Sequence, residues 1–221
     1  MNIWIIFILV SLASYVVQAT LSSRINKYSK VATNITGAQI AKMMLEENNI
    51  HDVSITCISG TLTDHYNPQT RTVNLSEDIY NGNNLAAAAI AAHECGHVIQ
   101  HATGYAPLKL RTAVVPLVSF ANKSVQWILL LGILLMQITH VMLWLGIALF
   151  AVTTLFSFIT LPVEINASQR AVAWLNTANI TDSTTTAYAH DALKWAAYTY
   201  VIAALGSLAT LLYYIGFARR S

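Results

Sequence analysis

His93-Glu94-Cys95-Gly96-His97 is an HExxH sequence, and its spacing has a mechanical meaning. On an α-helix, residues four apart share a face and are separated by about 6 Å of rise. Two imidazoles so placed can point at one metal ion, with the glutamate one step around, beside the water that ion holds. The flanks favour a helix. Asn84 offers a cap, Leu85 to Ala92 are mostly strong helix formers, and Gly104 provides a stop after Thr103. The chemistry this pattern suits is metal-assisted hydrolysis.

Two histidines do not complete such a site, because a catalytic zinc normally takes three protein ligands and keeps one position open. The remaining candidates are Asp64, His65, His101, His140, Glu164, His190 and Asp191. His101 sits about 12 Å along a straight helix from His93, too far to share one ion. Choosing among the others requires the elements that carry them.

Of the 221 residues, 55% are hydrophobic and only 10% charged, far from an ordinary soluble domain. The net charge of +2 and the absence of a basic run argue against a nucleic-acid partner. The partner implied is the lipid bilayer. Ile3 to about Leu21 is nearly unbroken apolar sequence, long enough to cross ~30 Å of hydrocarbon. No basic residue precedes it, which favours an anchor over a cleaved signal peptide. Val125 to Leu161 is too long for one span of ~20 residues, and Gln137-Ile138-Thr139-His140 reads as the tip of a helical hairpin. Its first arm begins upstream, near Val114 or Phe120. Trp195 to Phe217 forms the last span, with aromatic residues at its ends. The organisation expected is an anchor at 1–21, an extramembrane part at 22–112 and a transmembrane hairpin at 113–163. A second extramembrane segment follows at 164–194, then a final helix and tail at 195–221.

Basic residues orient these spans. Arg24, Lys27, Lys30, Lys109, Arg111, Arg170 and Lys194 all lie within the 22–112 and 164–194 segments, while the hairpin tip has none. The positive-inside rule places both segments on the cytoplasmic side, with only Arg219 and Arg220 voting otherwise. His140 then lies across the bilayer from the motif. Glu164, closing Thr160-Leu161-Pro162-Val163-Glu164, lies on the same side as His93 and His97, and an isolated carboxylate beside the membrane needs a partner. Glu164 is therefore the favoured third ligand, with His190 and Asp191 as alternates.

Within 22–112, Thr36 or Gly37 opens a short helix with Ile40, Ala41, Met44 and Leu45 on one stripe. Val53–Ile58 alternates as a strand, Asn67-Pro68-Gln69-Thr70 turns, and Arg71–Leu75 is a second strand. Ser76-Glu77-Asp78 looks like another helix start. Some ninety residues make a modest core, so this part should lean on the membrane helices.

The chain resembles the YugP-like neutral zinc metallopeptidases, bacterial membrane proteins related in plan to the HtpX-like and CAAX prenyl proteases. The resemblance rests on Leu62-Thr63-Asp64-His65-Tyr66, Val73-Asn74-Leu75-Ser76 and Ala91-Ala92-His93-Glu94-Cys95-Gly96-His97. It continues in Leu161-Pro162-Val163-Glu164-Ile165-Asn166-Ala167-Ser168 with Arg170, and in Ala196-Ala197-Tyr198-Thr199-Tyr200-Val201. It implies one zinc ion per chain, endopeptidase activity of the gluzincin type, and His93, His97 and Glu164 as ligands. The fold implied is mainly α and integral to a bacterial plasma membrane. About four transmembrane helices accompany a small α+β zincin-like extramembrane unit carrying the HExxH helix. Related zincins often place an aspartate four residues after the ligand glutamate to orient a histidine. Here that position is Ser168, so the group supporting the ligands must differ.

Zinc held by two neutral imidazoles and a carboxylate lowers the pKa of its water toward ~7. Glu94 would take the proton as water attacks a peptide carbonyl and pass it to the leaving amine. The tetrahedral oxyanion needs a donor, for which His65, Tyr66, His190 and Arg170 are candidates. Zincins commonly bind substrate as an added strand, and Val53–Ile58 or Val73–Leu75 could supply the edge. Because Glu164 sits where a span meets the headgroups, the expected substrates are membrane-proximal or misfolded proteins. Two other classes fit the same residues: a metal-dependent hydrolase of a non-peptide substrate, and a non-catalytic zinc-binding membrane scaffold. Glu94 disfavours the scaffold, since a structural site has no use for a base. Cys57 and Cys95 are too few for a disulfide framework, and Cys95 reads as a small residue filling a helix face rather than a redox sensor. The sequence does not specify an oligomeric state.

Overall fold

The computed structural model describes residues 3–220, so Met1, Asn2 and Ser221 of the expected terminal segments lie outside it. The element order is α1 (Ile3–Tyr28), α2 (Gly37–Glu47), β1 (Ser54–Ile58), β2 (His65–Asn67), β3 (Thr72–Ser76), α3 (Glu77–Tyr80), α4 (Leu85–Ala102), α5 (Ala106–Leu134), α6 (Val141–Thr177) and α7 (Ser183–Ala218). The protein is mainly helical. Among the described residues four helices, α1, α5, α6 and α7, are long and apolar enough to cross a membrane. The break expected at Gln137–His140 falls between α5 and α6. α5 itself starts at Ala106, earlier than its apolar stretch suggested, and carries Pro116 within it.

Contacts divide the chain into two compact units. One comprises residues 1–16, 109–162 and 199–221. Its α5–α6 hairpin packs closely: a Cβ on Gly132 would lie 2.6 Å from the Leu143 Cα, and one on Gly146 2.7 Å from a Leu129 methyl. Large apolar side chains such as Trp4, Phe7, Trp127 and Leu155 are exposed on this unit, as lipid-facing residues are.

The other unit comprises residues 17–108 and 163–198. Its core joins Ile40, Met44 and Leu45 of α2, Val73 and Leu75 of β3, and the alanine-rich start of α4. Tyr28, Ala171, Trp174, Leu175, Ala189, Ala192 and Leu193 complete it. These last residues belong to the ends of α1, α6 and α7, which run as unbroken helix beyond their most apolar stretches. The modest α+β part thus draws on long helices for apolar surface. Three polar contacts fasten them: Trp174 Nε1 donates to Glu47 Oε2 at 2.6 Å, Tyr28 Oη donates to Asp191 at 2.6 Å, and Arg24 pairs with Asp191 at 3.2 Å.

Local chemistry explains the small elements. Thr36 and Gln39 form a capping box that starts α2, satisfying two otherwise orphaned amides. The three strands lie in the order β1-β3-β2, with β1 parallel and β2 antiparallel to β3. Asp64 accepts from the Ser76 amide at 2.7 Å and from its hydroxyl, closing the loop before β2 onto the end of β3.

Candidate metal centre

α4 begins where Asn84 Oδ1 accepts from the Ala87 amide at 3.0 Å. It ends in a Schellman motif: Tyr105 N donates to Gln100 O, Gly104 N donates to His101 O, and Gly104 takes φ +63°. Between these ends His93 and His97 fall on one face, their rings 4.8 Å apart and edge-on at 83°. α6 delivers the carboxylate. It can come close because residue 96 is glycine: a Cβ there would lie 2.6 Å from Ala167 O and 3.1 Å from its Cα.

Glu164 Oε2 lies 3.4 Å from His93 Nε2 and 3.4 Å from His97 Nε2. All three donor atoms fall within 4.8 Å of one another. Two ligand atoms at about 2.0–2.1 Å from a tetrahedral ion stand about 3.3–3.4 Å apart, so this spacing suits zinc, as does the nitrogen and oxygen donor set. His93, His97 and Glu164 could hold such an ion.

Each imidazole is held from behind. His93 Nδ1 lies 3.1 Å from Oγ of Ser168, four residues after Glu164 on α6. His97 Nδ1 lies 3.1 Å from Oε1 of Gln100, a fully buried side chain. Gln100 Nε2 in turn donates to Val163 O at 2.7 Å and to Asn166 Oδ1 at 3.1 Å, and Arg170 Nε donates to the same Asn166 oxygen at 2.8 Å. Burial presses the His97 ring toward neutrality. The hydrogen bond to Glu164, the charges of Glu94 and Glu164 and the bond to Gln100 outweigh it, so its pKa stands above the ordinary histidine value.

Glu94 is buried, and its Oε2 accepts from the Tyr66 amide of β2 at 3.1 Å. That bond ties its carboxylate to β2, and its charge acts on the His97 ring. Tyr66 Oη reaches His101 Nδ1 at 2.9 Å, and burial raises the Tyr66 pKa. His65 is spent locally: its Nδ1 donates to Thr63 O at 2.8 Å, and Asn74 lies 3.2 Å from its Nε2. Arg170 is engaged through Asn166. His190 is exposed on α7 and stands outside the cluster, and its neighbour Asp191 serves Tyr28 and Arg24. Cys95 is fully buried, with its thiol 3.6 Å from Ala41 O, and burial followed by the Glu94 charge pushes its pKa up. That is an inert filler, not a sensor.

One expectation is corrected. Val73–Leu75 cannot present a free edge, because β3 is the middle strand and is paired on both sides. β1 and β2 are the edges. In the β2–β3 register Tyr66 stands opposite Val73, between the pairs His65–Asn74 and Asn67–Thr72. Its amide turns toward Glu94, so β2 is the edge beside the motif. Gln100 and Asn166 were not anticipated either. The one available signal was that Gln100 lies three residues after His97, on the same helix face.

The family described as "Putative neutral zinc metallopeptidase" matches residues 3–219. The chain belongs to this family. It is also 40% identical over 204 residues to the "Putative membrane protease YugP" of Bacillus subtilis (strain 168), covering 91% of this chain and 90% of that protein. No solved structure matches the chain.

Proposed function

We propose that this family member is a membrane-embedded metalloendopeptidase of the gluzincin type, with one zinc ion on His93, His97 and Glu164 and Glu94 as general base. The observation that carries the reading is the joint approach of the Glu164 carboxylate to both imidazoles at 3.4 Å, with a buried glutamate between the histidines in sequence. When bound, zinc supplies a Lewis acid that acidifies water and polarises a carbonyl. The protein's own groups do the rest. Glu94, steadied at Oε2 by the Tyr66 amide, takes a proton from the attacking water and returns it to the leaving amine. Ser168 and Gln100 keep the imidazole Nε2 atoms turned to the Glu164 side.

The 22–112 and 164–194 segments, which carry the lysines and arginines beside the spans, are assigned to the cytoplasmic side of a bacterial plasma membrane. Glu164 follows the apolar run of α6 within a few residues, so substrates are proteins presented at the bilayer surface, either membrane-anchored or misfolded there. The test is Glu94→Gln in purified, lipid-reconstituted protein. It should retain stoichiometric zinc and lose turnover by about 10²–10⁴-fold. Undiminished activity in this variant would refute the base, and activity confined to non-peptide substrates would refute the peptidase.

A further inference from the structure

Gln100 is a buried carboxamide with no polar atom to spare. Its Nε2 faces Val163 O at 2.7 Å, and a main-chain carbonyl oxygen can only accept. That single contact decides which end of the amide is nitrogen. The second N–H goes to Asn166 Oδ1, which also receives Arg170 Nε and therefore must be oxygen. Gln100 Oε1 is left facing His97 Nδ1 at 3.1 Å, and an amide oxygen can only accept. The proton must sit on His97 Nδ1. A neutral imidazole protonated at Nδ1 has its lone pair on Nε2, the atom turned toward Glu164.

We propose that Gln100 is a positioning residue for the metal centre, holding His97 in the tautomer and ring orientation that present Nε2, with Val163 O, Asn166 and Arg170 fixing the polarity of its amide. The proposal rests on the zinc-ligand reading above. His93 receives a different arrangement, because the hydroxyl of Ser168 can donate or accept and so imposes no tautomer by itself. The two ligands are therefore unequal: His97 is locked by an acceptor of fixed polarity, and His93 is steered by a rotor. The same short stretch of α6 supplies the Glu164 carboxylate and both acceptors for Gln100, so the lock and the third ligand arrive together.

The test is Gln100→Met, which keeps volume and removes the acceptor, beside Asn166→Ala and Asn166→Asp. Zinc affinity is measured by chelator competition, and ¹⁵N spectra of the histidine rings in metal-free protein, at a pH where they are neutral, report the tautomers. Gln100→Met should bind stoichiometric zinc about 10–100-fold more weakly, with His97 passing from the Nδ1-protonated form to a mixture. Asn166→Asp, still an acceptor for Gln100 and Arg170, should stay near wild type, and Asn166→Ala should fall between. Wild-type affinity and an unchanged His97 spectrum in Gln100→Met would overturn the proposal. If Gln100→Met fails to fold, the partly exposed Asn166 pair decides: equal affinity for alanine and aspartate overturns it. Stoichiometric zinc surviving Glu164→Ala would instead overturn the ligand set itself, a separate outcome.

Discussion

Gly96→Ala is the smallest change that should damage the metal centre without touching a ligand. A Cβ at residue 96 would lie 2.6 Å from Ala167 O and 3.1 Å from Ala167 C and Cα, all main-chain atoms of α6. A carbon meets a carbonyl oxygen comfortably at about 3.3–3.6 Å, so α4 and α6 must part locally by roughly 0.7–1 Å. No side-chain rotation relieves the clash. Glu164 lies one turn before Ala167, so the same displacement lengthens the approaches of its Oε2 to both Nε2 atoms, now 3.4 Å. An ion with ligands at about 2.0–2.2 Å tolerates little of that stretch. Overpacking of this kind costs about 1–3 kcal/mol in stability. Thermal unfolding with and without zinc separates the two consequences. The variant should melt earlier than wild type in both forms, and the protection given by zinc should shrink. Should the alanine protein match wild type in melting temperature and in zinc affinity, the close approach at Gly96 would not be what seats Glu164.

Other outcomes follow from the same geometry. Metal-free His97 has a raised pKa, so protons compete with zinc for Nε2: affinity should be constant well above that pKa and fall up to tenfold per pH unit below it, read by chelator competition across pH. In the metal-free protein the sign reverses for stability, since a raised folded pKa contributes fully below the unfolded value of about 6.5 and is lost as pH rises through the folded one. Denaturant titrations of metal-free wild type and His97→Ala at several pH values would expose a wrong sign. Ser168→Ala removes the hydroxyl that faces His93 Nδ1 at 3.1 Å and should weaken zinc binding about tenfold. A peptide tethered to lipid should be cut faster than the same peptide free in solution by reconstituted enzyme, and equal rates would remove the argument for substrates at the bilayer surface.

The elements that were legible in the sequence are those written in short-range code. The α2 stripe of Ile40, Ala41, Met44 and Leu45 is buried as the 3.6-residue period requires, and Asn84 and Gly104 bound α4 as a cap and a stop should. The four apolar helices and the turn at Gln137–His140 follow from length and hydropathy alone. β2 was hidden because three residues, His65 to Asn67, cannot display an alternation. The identity of the edge strand was hidden for another reason. β1 pairs in parallel with β3 across the intervening β2, and such a crossover leaves no local mark. In the candidate site, the spacing of His93 and His97 announced a shared face, and topology nominated Glu164. The supports of the imidazoles were harder to see: a glutamine within a helix looks solvent-facing until its burial is known, and Val163 contributes a carbonyl that no side-chain pattern can advertise.

Residues 163–168 of α6 meet α4 with a carboxylate, a carbonyl, an amide oxygen, a hydroxyl and a bare stretch of backbone opposite Gly96. All five depend on one angular phase of one coil. Point changes can trim these contacts singly. A one-residue slip just upstream would swing the set by about 100° together, so these five contacts stand or fall as one.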